Sequence, residues 1–481
     1  MEQEATANTR NGIKGFFDAV KAEVICRPIE YLSVVSALII CLLLFDYVDC
    51  ISYTVWSIDI WESLFNGRIT EYFTVSAENK WGAPHGGNCY GVLWLVPWAI
   101  WNLPIWVIQT VNGTYTVDEP VFMIWSKLFL VLCTALIGIY SKKIVMKLTN
   151  DEHLASLGLL LSIAGGTALI SVGFSGQDEV MYMASFLMGA YYLMMNKRVL
   201  GAILIVFSIV CFPLMILPLA VVLMVKERNL IKIIAMMVIS LIPDKIVSRI
   251  CGISAIPELR EMYPIAEEFP LARIIDWYFL STSIGVGKSI LSILALILTL
   301  VLLYCYIRKH QDDNRAILLG ITISFLSIYM FSWMHFYRFY SCMLPATIAV
   351  LVLLKENESA QKVALFLMCL LEYTAMIVAC FDPNCMAYYA VNGSALGGLA
   401  DWGYEGNFIT IMILRYGVVY TGFEPLLISA SIGISMMLLW FLIKKPVMEW
   451  KFDLDLDKSA LIYALSPLVL LALVFFTPVI F

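Results

Sequence analysis

Apolar runs of about twenty residues, separated by short connections, recur along almost the whole chain, and many are closed at one end by lysine and arginine. They occupy 30–48, 91–112, 121–141, 155–174, 180–196, 200–225, 230–249, 284–306, 316–334, 341–354, 362–380, 424–443 and 459–479. A hydrocarbon layer roughly 30 Å thick takes ~20 apolar residues per helix. Backbone facing lipid must satisfy its own hydrogen bonds, and hydrophobicity that is continuous rather than alternating excludes a strand barrel. The runs therefore predict an all-α, polytopic integral membrane bundle of about 11–13 spans. Composition agrees: 61% of the 481 residues are hydrophobic and 14% charged, against about 25% charged in soluble domains. A net charge of −6 with its acids mostly in loops gives no basic nucleic-acid surface.

Basic clusters orient the chain. Lys142, Lys143 and Lys147, then Lys197 and Arg198, Lys226, Arg228 and Lys232, Arg308, Lys309 and Arg315, and Lys444 with Lys445 mark cytoplasmic ends. Arg10, Lys14, Lys21 and Arg27 precede the first run, so residues 1–29 read as an amphipathic cytoplasmic N-terminus lying on the membrane surface. The Ser175–Glu179 loop, His335–Arg338 and the stretch 381–423 then fall outside, as does 250–283. Residues 30–355 form one membrane module and 356–481 a second, which includes the outer loop 381–423. The Trp- and Tyr-rich stretch 49–90 is expected to be a large outer loop carrying short surface helices.

Two runs need special treatment. The run 200–225 begins and ends at basic clusters, which demands an even number of crossings, and Pro213 and Pro218 can divide it into two short half-spans. The run 91–112 holds Pro97 and Pro104 and must also be split or re-entrant if 49–90 is outside. The twelve cysteines show no CxxC pair and read as small packing residues rather than a zinc or disulfide framework.

Ionisable groups at membrane depth cost about 2.5–3.5 kcal/mol each on insertion scales, so their placement asks for a reason. They gather at outer span ends: Asp46 and Asp49 after the first run, Asp59 and Glu62, Gln177-Asp178-Glu179, and His335 with Tyr337 and Arg338 among aromatics. Each has an ordinary alternative. Asp46 and Asp49 fit the polar end of a helix, Glu62 a solvated helix face one turn from Asp59, and Asp178 and Glu179 the capping of the next helix.

Three stretches in this order resemble the polytopic GT-C glycosyltransferases, which use polyprenyl-phosphate sugars and include GPI mannosyltransferases and bacterial cell-envelope enzymes. Asp59-Ile60, Asn66-Gly67-Arg68-Ile69-Thr70-Glu71-Tyr72 and Tyr90-Gly91-Val92-Leu93-Trp94 are similar to that family's first outer loop. Phe174-Ser175-Gly176-Gln177-Asp178-Glu179 resembles its Gly-Gln-x-Asp loop, and Phe212-Pro213-Leu214 through Pro218 continues the pattern. His335-Phe336-Tyr337-Arg338-Phe339-Tyr340 before Met343-Leu344-Pro345 is similar to its late loop. The chain departs from the family where Val210 and Cys211 replace a lysine before the half-span, and where Trp61 takes the place of a second acid after Asp59.

The resemblance implies a hexosyltransferase at the outer face of a multi-pass membrane, a bacterial plasma membrane in the first instance and the endoplasmic reticulum as the alternative. Asp59 would be the general base. Glu62, Gln177, Asp178, Glu179, His335, Tyr337 and Arg338 would bind substrate, with Arg338 and His335 on the phosphate of the polyprenyl donor. Trp56, Trp61, Tyr72 and Trp81 would offer ring faces to the sugar and its lipid. The acceptor would be a glycan or lipid hydroxyl. A divalent cation is compatible with this pattern without being required by it, and no metal ligands are assigned. The rival reading is a transporter or flippase of lipid-linked or small polar substrates, which also uses broken half-spans but places its ionisable residues near the bilayer midplane.

Overall fold

The computed structural model describes residues 21–88, 90–117, 119–253, 283–286, 289–307, 313–331, 338–381, 389–391, 423–446 and 454–480. These residues are helical apart from two short antiparallel pairings. Helix α1 (Pro28–Leu44) begins with a proline in its first turn, where the missing N–H costs nothing. It ends at an extended segment, β1 (Phe45–Tyr47), which pairs with β2 (Tyr389–Val391). The other pairing joins Ser283–Val286 to Ser289–Ser292.

The stretch expected to carry short surface helices contains instead one 18-residue helix, α2 (Val48–Phe65), followed by the short α3 (Tyr72–Ala77). α2 is buried because its aromatic residues find partners inside the protein. Trp56 Nε1 donates to the Gly86 carbonyl at 2.8 Å, Tyr72 Oη to the Trp56 carbonyl at 3.0 Å, and Trp61 Nε1 to the Ala99 carbonyl at 2.6 Å. Trp56, Tyr72 and Trp81 are 1%, 0% and 2% exposed, so they leave no ring face for a sugar. Ala99 lies on α4 (Val96–Asn112), a single helix with Pro104 inside it, which packs along α2.

Among the described residues, four helices are long and apolar enough to cross a membrane: the 30-residue α5 (Pro120–Thr149) and, within helices given below, Asp313–Phe331, Glu358–Ile377 and Leu426–Lys444. Helix α6 (Glu152–Ile163) and a segment bent 44° from it, consisting of α7 (Gly166–Leu169) and a π-helical turn, Ile170–Phe174, are together apolar enough for a fifth, broken span or a re-entrant loop. At the bend, Glu372 accepts from the Thr167 N–H at 2.6 Å and from the Thr167 hydroxyl at 3.0 Å. It thereby satisfies groups that an interrupted helix leaves without intrahelical partners. Helix α8 (Glu179–Met194) packs against α9 (Arg198–Cys211), and the chain turns at Phe212-Pro213 before α10 (Ile216–Lys226). The run 200–225 is thus two short helices, as its prolines and basic ends require. The remaining long elements are α11 (Leu230–Ile250), α12 (Ile293–Ile307), α13 (Asp313–Phe331), α14 (Phe339–Leu353), α15 (Glu358–Phe381), α16 (Phe423–Lys444) and α17 (Leu456–Ile480).

Basic helix ends are tied together at one end of this bundle. Lys142 pairs with Glu23 and, at 2.6 Å, with Glu152. Arg27 and His153 share Asp457, and Lys226 bonds Asp313 at 2.8 Å. Lys355 donates to the Thr149 carbonyl and Asn357 Nδ2 to the Lys445 carbonyl. These residues come from the N-terminal segment, the α5–α6 turn, the ends of α10 and α16, and the starts of α13, α15 and α17, all of which the basic clusters assign to the cytoplasm. A polytopic helical membrane protein is the architecture that this arrangement describes.

Candidate functional site

The opposite end of the bundle brings acids, a histidine and an arginine together. The 175–178 loop lies against the first turn of α2. Gly176 has φ +56°, and a Cβ there would sit 2.7 Å from Cys50 Sγ and 2.8 Å from its Cβ. Only glycine allows both that dihedral and that approach. Beside it, Gln177 donates from Nε2 to Asp49 Oδ2 at 2.6 Å and accepts at Oε1 from the Tyr53 hydroxyl at 3.1 Å. The other Asp49 oxygen meets His85 Nε2 at 2.5 Å. That bond, reinforced by the Asp49 charge and opposed by partial burial, raises the His85 pKa above its usual 6.5.

Lys127, on α5, underpins the arrangement. It is fully buried, and Nζ donates to the carbonyls of Phe45 and, at 3.2 Å, Gly173. One ammonium therefore ties the segment leading into Asp49 to the segment leading into Gln177. Burying a charge is costly unless it is well partnered, and carbonyl oxygens supply part of the partnership here.

Arg338 stands just before α14, and its Nε is 3.3 Å from Glu179 Oε1 at the start of α8. Glu179 is 1% exposed along its side chain and Arg338 18%, so the pair is largely withdrawn from water. The Arg338 Cζ lies 4.7 Å from the centre of the Phe212 ring, which stacks on Tyr182 at 4.9 Å. The turn between α9 and α10 thus supplies the surface on which the cation rests. Asp178 is partly buried. Its removal from water lifts its pKa to about 6 against the pull of Arg338, and Asp49 pushes in the same direction as burial. Asp49, Asp178, Glu179 and Arg338 consequently share one electrostatic neighbourhood.

Asp59 is not in that neighbourhood. It lies ten positions beyond Asp49 on the same helix, ~15 Å along the axis. It is 1% exposed, and neither carboxylate oxygen has a hydrogen-bond partner of normal length. Burial pushes its pKa up to about 8; the Ser76 hydroxyl and the more distant Lys80 oppose the rise, while Glu62 and Glu78 add to it. Glu62 belongs to the same region. It accepts from Lys80 at 2.8 Å, from Trp106 Nε1 at 3.2 Å and from Asn66 at 3.1 Å. Burial works to raise its pKa, but these donors hold it below the usual value. Glu62 therefore cross-links α2, α4 and the 78–81 turn. His335 and Tyr337 lie outside the described residues.

Three of these groups carry little signal in the sequence. Asp49 fits the end of a span, and His85 belongs to no motif. Asp244 stands inside an apolar run beside Pro243 and Lys245, where an acid is itself a signal. Asp244 Oδ1 accepts from the Leu93 N–H at 3.2 Å, at the turn that leads into α4. Asp244 and Asp178 both lie within electrostatic reach of Cys211. Among the described residues, no three His, Cys, Asp or Glu side chains gather as metal ligands. No family model, no curated protein and no solved structure matches the chain.

Proposed function

We propose that this protein is a GT-C-like membrane glycosyltransferase that moves a hexose from a polyprenyl-phosphate sugar to an acceptor hydroxyl, of a glycan or a lipid, at the non-cytoplasmic membrane border. The observation that carries the reading is the pairing of Arg338 with Glu179 beside Asp178, on a loop that Gln177 bonds to Asp49, at the bundle end opposite the basic clusters. A fixed cation beside carboxylates suits a reaction in which a proton leaves one oxygen while negative charge grows on another.

In this mechanism the base is Asp49 rather than Asp59. The acceptor oxygen attacks the anomeric carbon and its proton passes to the Asp49 carboxylate, which Gln177 and His85 orient. The bond between the anomeric carbon and the phosphate oxygen breaks, and its electron pair leaves on the polyprenyl phosphate. Arg338 bonds that phosphate, and its charge is worth more as the leaving group becomes more negative. Glu179 holds Arg338 in place, and Asp178 faces the sugar hydroxyls. A multi-pass plasma membrane of a bacterium is the proposed location, with the endoplasmic reticulum as the alternative.

The test is transfer from a series of polyprenyl-phosphate hexoses by purified protein in detergent or vesicles. Asp49→Asn should lower the rate by roughly 10²–10⁴, the range general-base catalysis supplies, while Asp59→Asn keeps it within a few-fold. A wild-type rate in Asp49→Asn removes the base assignment. Wild-type vesicles that translocate a lipid-linked sugar without transferring it would establish the carrier in place of the enzyme.

A further inference from the structure

A second feature lies at the cytoplasmic end of the same helices. A cavity of about 430 Å³, open on one side, is lined by α5, α8, α9, α10, α13 and α14. Its deep wall is hydrocarbon, with Phe186, Leu187, Ala190, Ile321, Phe325 and Leu344 contributing. The one hydroxyl among these deep positions, Thr322, donates to the Pro345 carbonyl at 3.3 Å and is already satisfied. Water in such a space would find too few of the two to four polar partners it needs. The volume falls in the range of ligand pockets, roughly 300–1,000 Å³.

The rim has a different character. Lys147 in the last turn of α5, Lys226 at the end of α10 and Asn314 in the first turn of α13 line the cavity at the end where the basic clusters gather. Lys226 is paired with Asp313, whereas no described residue pairs with the exposed Lys147. An apolar sleeve whose cytoplasmic rim carries ammonium groups is complementary to one kind of molecule: an amphiphile with a hydrocarbon chain and an anionic head.

We propose that this cavity binds an acidic phospholipid of the cytoplasmic leaflet, one acyl chain lying between α8 and α13 and the phosphate at Lys147 and Lys226. The site is separate from the one holding Arg338. Glu179 and Arg338 lie at the far ends of α8 and α14, so the two ligands would approach those helices from opposite membrane faces. The inference does not depend on the transfer reaction.

The experiment uses the full chain in vesicles containing phosphatidylglycerol with a diazirine in one acyl chain, followed by photolysis and peptide mapping. Label should concentrate on the α8 and α13 peptides that carry Phe186, Ala190 and Ile321, and unlabelled phosphatidylglycerol should compete better than phosphatidylcholine. Ala190→Trp, which fills the cavity, should reduce that label at least fivefold, whereas Ile203→Trp on an exposed face should not. Lys147→Glu leaves the interior untouched and keeps the test valid should Ala190→Trp fail to fold; it should reduce labelling by phosphatidylglycerol several-fold and by phosphatidylcholine little. Label confined to outward positions such as Ile234 and Ile239, or label indifferent to Lys147→Glu, overturns the proposal.

Discussion

Gln177 Nε2 bonds Asp49 Oδ2 at 2.6 Å and so joins the loop before α8 to the first turn of α2, across more than a hundred residues of sequence. The bond has a directional consequence. Gln177→Leu removes the donor, and transfer should fall roughly 10- to 100-fold if Asp49 loses its orientation. Gln177→Glu sets a carboxylate against a carboxylate and should fall further, with a lower unfolding temperature than Gln177→Leu. Equal rates and stabilities in the two variants would show that the bond positions nothing.

His85 gives the site a pH dependence with a definite sign. Its folded pKa lies above the ordinary 6.5, chiefly through the bond to Asp49. The pair's stabilising contribution is therefore complete below about pH 6.5 and is lost as pH rises through the raised value. Thermal melts of wild type and His85→Gln should differ most in mildly acidic buffer and converge in alkaline buffer. A difference that grows with pH would contradict the pairing.

Asp59 should behave in the opposite way to a required base. Its pKa rises from 3.8 to about 8 on folding, so its contribution is most favourable below the unfolded value and worsens as pH climbs toward 8. Asp59→Asn should then stabilise the protein at neutral pH, on the order of a few kcal/mol, with the advantage over wild type growing up to about pH 8 and level beyond it. Calorimetry across that range measures it, and loss of stability in the variant would refute the argument.

Lys127→Met keeps the length of the side chain but leaves the Phe45 and Gly173 carbonyls without this donor. A buried acceptor left unmatched costs about 1–3 kcal/mol, so the variant should melt earlier. It should also lose activity disproportionately, because the segments leading to Asp49 and Gln177 are released together. A variant that melts earlier yet retains its full specific activity below the transition would limit Lys127 to stability.

Arg338→Lys tests whether planarity matters. An ammonium cannot reproduce the fork or rest its face on Phe212 in the same way, so donor KM should rise about as much as in Arg338→Ala, and kcat should fall too. Full recovery in Arg338→Lys would reduce the requirement to a single positive charge.

The membrane architecture could be read from the chain because apolar length and basic clusters are local signals, and the division of 200–225 at Phe212-Pro213 followed from proline chemistry and charge alone. The content of 49–90 could not. Aromatic density suggested an interface, but an aromatic residue is equally at home in a protein core once a second helix covers it, as Trp98 of α4 does for Tyr53. Gln177, Asp178, Glu179 and Arg338 stand out in the sequence through motif-like order alone. Asp49 does not, because the end of a span explains an acid without needing a partner, and its partners, His85 and Gln177, are remote in sequence. Asp59 and Asp49 look alike as isolated acids on one helix; what separates them is the neighbour each meets, and sequence spacing does not carry that information.

The first and last described helices are neighbours. α1 packs along α17, Ser33 donates to the Ala464 carbonyl at 2.7 Å, and Arg27 reaches Asp457. The polypeptide therefore closes on itself like a clasp, with its first described membrane helix held by its last across the boundary near residue 355. Cutting there would strip the cover from Tyr31 and Ala37 as surely as it removed the helices beyond. A protein split there should regain its shape only when both pieces are made together.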